Sequence, residues 1–155
     1  METLSAIPAF LSLTDTLATA GQPSEAQFAA VRHAGFTTVI NLALPTSSDA
    51  LPDEAVTVRE LGMNYIAIPV VWEAPRMEDA NGFFDEMDAL DTCRDEKTLV
   101  HCVKNMRVSA FVYLWRVTRQ GWAADEATRD LHCICTPEGR WAEFIAQFAP
   151  LPQSP

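Results

Sequence analysis

The residues able to do chemistry gather in one stretch, Lys97 to Phe111. A short β-branched and apolar run, Thr98-Leu99-Val100, stops at His101-Cys102. A loop of Val103-Lys104-Asn105-Met106 follows, then Arg107, and then an apolar series at helical spacing: Val108, Phe111, Val112, Leu114 and Trp115. A strand that hands a thiol to a loop, whose N–H groups face the start of a helix, makes an anion site. The first turn of a helix carries unpaired donors and partial positive charge. That field, with His101 on one side and Arg107 on the other, favours a thiolate nucleophile at Cys102. The plainer reading is a small buried hydrophobe at a strand end. The order strand, Cys, loop, Arg, helix points instead to function.

His101-Cys102, Arg107 and Ser109 resemble the HCxxGxxR[S/T] signature of the cysteine-based protein tyrosine and dual-specificity phosphatases. Ala20 to Ser24 and Gly35 to Leu42 resemble the opening of small bacterial phosphatase-like proteins of that superfamily. With Ile66 to Pro69, the similarity runs from about Thr14 to Thr118. One departure is informative: the family has five residues between Cys and Arg, and this chain has four, Val103 to Met106. Ser109 keeps the family offset from the cysteine, and Asn105 stands where the family has its middle glycine. Asn is the non-glycine residue that best tolerates positive φ. Only the arginine moves, by one residue, or about 100° around a helix.

The resemblance implies a mechanism with four tasks. Cys102 attacks phosphorus and carries a phosphocysteine. Arg107 and the N–H groups of Val103, Lys104, Asn105 and Met106 hold the phosphoryl oxygens. Ser109 donates to the Cys102 sulfur, and His101 orients the loop by hydrogen bonding. The general acid is an upstream aspartate in the family; here Glu73, in Val71-Trp72-Glu73-Ala74-Pro75, stands nearest that place, with Asp79 next. Two other functions stay open. A Cys-x4-Arg loop between strand and helix is also the arrangement of rhodanese-like sulfurtransferases, which carry a persulfide on the cysteine; the Asp-x-Arg and Gly-His-Ile-type segments that usually accompany it are missing. A phosphatase-like module that binds a phosphorylated partner without turnover is the third.

With 155 residues, 48% of them hydrophobic, the chain can bury one compact core, and a single domain over 1–155 is expected, with 150–155 a loose tail. A formal charge of −10 speaks against nucleic acid or an anionic membrane as partner, and leaves a phosphorylated substrate, protein or small molecule. Lys104, Arg107, Arg116 and Arg119 are expected to cluster locally around the loop and its helix. Four cysteines without scaffold spacing fit a reducing compartment, and no apolar run reaches membrane-spanning length, so a cytoplasmic protein is expected. No cofactor or metal is called for. Cys133 and Cys135, two apart on a helix, point to opposite sides and read as structural rather than as zinc ligands. Cys93 lies one helix end and one strand before Cys102, which raises a disulfide between them on oxidation.

The remaining elements must place that loop. Thr14 to Ala20 reads as an edge strand ending in a Gly21-Gln22-Pro23 turn. Ser24 and Gln27 form a capping-box pattern for a helix that stops at Gly35. Residues 37–42 and 64–71 read as strands, and Pro52-Asp53-Glu54 starts a helix reaching Leu61-Gly62. Residues 76–92 read as an amphipathic helix with Met77, Phe83, Phe84, Met87 and Leu90 inward. Two helices follow, broken at 136–139, with Trp141, Phe144, Ile145 and Phe148 on one apolar face. The alternation predicts an α/β fold, a mostly parallel central sheet flanked by helices, dual-specificity-phosphatase-like, with ligands beyond the carboxyl ends of the strands.

Overall fold

The hydrophobic pattern of the chain resolves into five short strands covered on both faces. The structure, a computed structural model, describes residues 3–93 and 95–148; the expected loose tail at 150–155 lies outside them. The strands are β1 (Leu11–Thr14), β2 (Leu17–Ala20), β3 (Thr38–Asn41), β4 (Asn64–Ala67) and β5 (Thr98–His101). Their order across the sheet is β1-β2-β5-β3-β4. The β2–β5, β5–β3 and β3–β4 pairs are parallel, and only β1–β2 is antiparallel. The helices are α1 (Glu25–His33), α2 (Glu54–Glu60), α3 (Met77–Asp91), α4 (Met106–Thr118), α5 (Ala124–Ile134) and α6 (Gly139–Ala146), after a 3-10 turn at Leu4–Ala6. The mostly parallel sheet flanked by helices is the predicted one.

Successive strand residues face opposite sides, which gives the sheet two cores. Leu17, Ile40 and Val100 face α3, α4, α5 and α6, while Ala18, Val39 and Leu99 face Phe28 and Val31 of α1 and Val58 of α2. Every residue of β5 is buried, as a central parallel strand requires. Residues 107–116 of α4 are buried without interruption, because other helices and the sheet surround it. No described helix is long and apolar enough to cross a membrane.

The sequence reading needs four corrections here. Thr14 to Ala20 is not one edge strand: Asp15-Thr16 turns a hairpin, β1 takes the edge, and β2 lies inside against β5. The strand expected over 64–71 stops at Ala67, since Pro69 has no N–H for a ladder, although Ile68 and Val70 still donate to Asn41 and Leu42. Met77 is 44% exposed at the start of α3, not inward. Arg116 and Arg119 stand at the far end of α4, paired with Asp130 and with Asp85 and Asp88, so the basic cluster at the loop reduces to Lys104 and Arg107.

Candidate active site

Strand β5 delivers Cys102 to the carboxyl edge of the sheet, in register with Ala20 of β2 and Asn41 of β3 at the preceding His101. The loop after it is anchored from behind. Cys102 N–H donates to Ala20 O (3.3 Å), and Gln22 N–H donates to Val103 O (3.0 Å). Gly21 lies so close that a Cβ there would meet Val103 O at 2.5 Å. Asn105 turns the chain into α4 with φ 67° and ψ 0°, the left-handed conformation its amide tolerates. Its side chain is fully buried and does not cap the helix; Nδ2 donates to Ala9 O and Thr19 Oγ1, both at 2.9 Å.

The front of the loop therefore keeps its donors. Among the described residues, no acceptor takes a hydrogen bond from the backbone N–H groups of Val103, Lys104, Met106, Arg107 or Val108. Of these residues, Val103, Lys104, Met106 and Arg107 line an open cavity of about 410 Å³, bounded also by Ser47 and Ser48 after β3 and by Trp72 after β4. Cys102 is among the residues that bound it, while being only 1% exposed and packed against the core that includes Val100 and Val108. Arg107 lines the same cavity; its Nη1 donates to Val70 O at 2.8 Å, and no carboxylate lies within ion-pair distance of it among the described residues. The structure thus brings together Cys102, Val103, Lys104, Met106 and Arg107, with Asn105 as the pivot beneath.

Two expected site residues fall elsewhere. The Ser109 hydroxyl donates back to Met106 O (3.1 Å) and lies 4.0 Å from Cys135 Sγ, so it serves its own helix rather than the Cys102 sulfur. Glu73 is exposed on the turn after Val70 and bounds no part of the cavity. Asp79 is also outside; burial raises its carboxyl, opposed by Arg76. The cavity wall carries no carboxylate at all among the described residues. Cys93 is exposed beside Thr98, at the other end of β5 from Cys102, with a four-residue strand between them, which excludes the disulfide considered above. Cys133 is exposed rather than structural, and burial pushes the Cys135 thiol up against the opposing contact with the Ser109 hydroxyl.

Behind the loop lies a polar group that the sequence did not disclose. His101, fully buried, contacts Cys102 O through Nδ1 (3.2 Å) and Glu54 Oε2 through Nε2 (2.8 Å). Glu54 also accepts from Tyr65 O–H (2.8 Å) and from Gln22 Nε2 (2.6 Å), and Asn41 Nδ2 donates to the Tyr65 oxygen at 3.0 Å. Burial alone would raise the Glu54 carboxyl; the His101 hydrogen bond and charge, with those of Gln22 and Tyr65, outweigh it and hold the group below its ordinary range. Burial and the Glu54 charge together raise the Tyr65 phenol. The available signal was position: Gln22, Asn41 and His101 all close or follow strands at the edge where ligands sit.

No protein-family model matches the chain, and no curated protein matches it. Among solved structures, a DUF442 protein of Shewanella putrefaciens CN-32, described as a candidate phosphatase, is 33% identical, with 94% of each chain covered and a TM-score of 0.81. Tk-PTP in its active form is 17% identical over 91% of this chain and 96% of its own, with a TM-score of 0.76. TpbA of P. aeruginosa, solved with phosphotyrosine, is 16% identical over 85% of this chain and 75% of its own, with a TM-score of 0.65. The latter two likenesses concern the fold alone; the first, at higher identity over almost the whole length, concerns the family. The chain belongs to the DUF442 family, built on the fold of the cysteine-based tyrosine and dual-specificity phosphatases.

Proposed function

We propose that the protein hydrolyses a phosphate monoester through a phosphocysteine on Cys102. The observation that carries this is a cavity bounded by Cys102 and Arg107 and by loop residues whose backbone N–H groups have no acceptor among the described residues. An oxyanion completes those donors, and a thiolate in line with phosphorus displaces the leaving oxygen. Arg107 and the loop amides hold the three equatorial oxygens as charge spreads over them; water then hydrolyses the phosphocysteine and returns the thiolate. TpbA, which shares the fold, holds phosphotyrosine, and a phosphorylated protein or small molecule is the substrate class proposed. Without a carboxylate in the wall, esters whose leaving group departs unprotonated, such as phenols, react best. Burst release of para-nitrophenol from para-nitrophenyl phosphate, with phosphate trapped on Cys102 and lost in Cys102→Ser, tests the reading. Absence of both the burst and the trapped adduct refutes it.

The same wall favours one other reaction. Sulfur transfer needs no acid: Cys102 takes the sulfane sulfur of thiosulfate as a persulfide and releases sulfite, and cyanide removes it as thiocyanate. The missing carboxylate and the six-residue Cys102–Arg107 loop both suit that course. Thiocyanate formation without a phosphate burst would assign the site to it.

A further inference from the structure

The buried group behind the loop lines no part of the Cys102 cavity, yet it meets the loop backbone at Cys102 O. Both partners of the His101 ring are acceptors: a carbonyl oxygen at Nδ1 and the Glu54 carboxylate at Nε2. A ring facing two acceptors satisfies both only by donating from both nitrogens. Glu54 is held for this task by three donors on one carboxylate, at 6% exposure. The Phe28 ring, edge-on at 5.7 Å from the His101 ring centre, closes another side of the imidazole.

The consequence reaches the anion side through peptide geometry. Cys102 C=O and Val103 N–H belong to one planar trans unit, so they point in opposite directions. A donor that pins the carbonyl from behind aims the Val103 N–H into the cavity. The next unit is pinned in the same manner, Val103 O by Gln22 N–H, which aims the Lys104 N–H forward. Gln22 thus links both pins, since its side chain also donates to Glu54.

We propose that Glu54 is a positioning residue for the oxyanion loop: it keeps His101 donating from both ring nitrogens and thereby fixes the Cys102–Val103 peptide that presents its N–H to the anion. The inference rests on the proposed oxyanion site but not on which reaction the site performs. Charge-assisted hydrogen bonds are roughly twice as strong as neutral ones, so Glu54→Gln weakens binding of inorganic phosphate on the order of tenfold. Two measurements on the full chain test it: phosphate binding by calorimetry, and the nitrogen-15 signals of the His101 ring at neutral pH. In the wild type both ring nitrogens carry hydrogen; in Glu54→Gln one of them does not, and phosphate affinity falls with it. A wild-type ring with one bare nitrogen overturns the proposal, and that measurement needs no variant. A Glu54→Gln protein that unfolds more easily but keeps the ring signals and the phosphate affinity also overturns it, because that is the behaviour of a merely structural carboxylate. Should Glu54→Gln fail to fold, Tyr65→Phe removes one donor and leaves the ion pair. It should keep the two-hydrogen ring and bind phosphate within about twofold of wild type; a tenfold loss with the ring intact would refute the proposal. If the wild type binds no phosphate and turns over neither substrate, the oxyanion site itself fails, while the ring signals still decide the role of Glu54 toward His101.

Discussion

Arg107 is 7% exposed, has one hydrogen bond, to Val70 O, and has no carboxylate within ion-pair distance among the described residues. A cation held this way is costly to the empty fold. Desolvation of a buried unpaired ion runs to several kcal/mol, reduced here because Arg107 borders the open cavity. Arg107→Met keeps an apolar stem and removes the charge. It orphans the Val70 carbonyl, a loss of about 1–2 kcal/mol. The balance predicts a variant about 1 kcal/mol more stable than wild type in anion-free buffer, or roughly 2–4 °C for a domain of this size. Phosphate should reverse the order. At a hundred times its dissociation constant it stabilises the wild type by about 2.7 kcal/mol, and it should barely move the variant. Thermal unfolding of both proteins across a phosphate titration gives the answer. A variant more than about 1 kcal/mol less stable without phosphate, or equal phosphate responses, would refute the idea that Arg107 is kept for an anion rather than for the fold.

The Glu54 carboxyl titrates below its ordinary 4.5 in the folded protein, so the stability it lends is fully present above that value and is lost as pH falls through the folded one. As pH falls below about 4.5, the difference in unfolding free energy between wild type and Glu54→Gln should shrink; a difference that stays constant from about pH 5 down to pH 3 would contradict the assignment. Gly21→Ala sets a methyl 2.5 Å from Val103 O and 3.0 Å from Pro8 O, both backbone, so the Gln22–Val103 bond must give way. Urea unfolding should show a loss of about 2–3 kcal/mol, with phosphate affinity falling alongside. Replacing Asn105 by alanine or glycine removes both Nδ2 bonds, but alanine also suffers the left-handed backbone. Asn105→Ala should therefore unfold at lower urea than Asn105→Gly, by about 0.5–1 kcal/mol; the reverse order would show that the turn does not need positive φ.

What the sequence disclosed was local. The Ser24–Gln27 capping box forms as its spacing requires, and Asn105 takes positive φ as its amide allows. Strand β5 reads as buried because each of its residues is apolar or β-branched until the histidine. What stayed hidden depended on distant pieces meeting. Glu54 looked like an ordinary first-turn acid of α2, where acids are common; only β4 bringing Tyr65 and β5 bringing His101 to it makes it a buried anchor. The β1–β2 hairpin was missed because Asp15-Thr16 is a weak turn signal and Leu11 alternates with only one more apolar residue, Leu13. Arg116 and Arg119 were grouped with the loop by closeness in sequence, although α4 carries them about 15 and 20 Å away along its axis.

The one-residue shift of the arginine is best understood from where α4 begins. Helical side chains lean back toward the N-terminus, so Arg107, the second residue of α4, lies over the loop and reaches both Val70 O and the Cys102 cavity. The contacts on the loop backbone, His101 on Cys102 O, Gln22 N–H on Val103 O and the Asn105 turn, do not involve the arginine. Ser109, in the second half of the first turn, has the Met106 carbonyl within reach and settles on it. Keeping a family offset from the cysteine preserved the residue but not its direction. On the proposed function, the loop keeps amide donors for an oxyanion, while Ser109 and Glu73 do not reach the sulfur or the leaving group. That division favours reactions with an easy departure, whether a phenol leaving phosphorus or sulfite leaving a sulfane sulfur. A steep dependence of rate on leaving-group acidity, across a series of aryl phosphates, is the behaviour such a site must show; a flat one would mean that an acid enters the cavity during turnover.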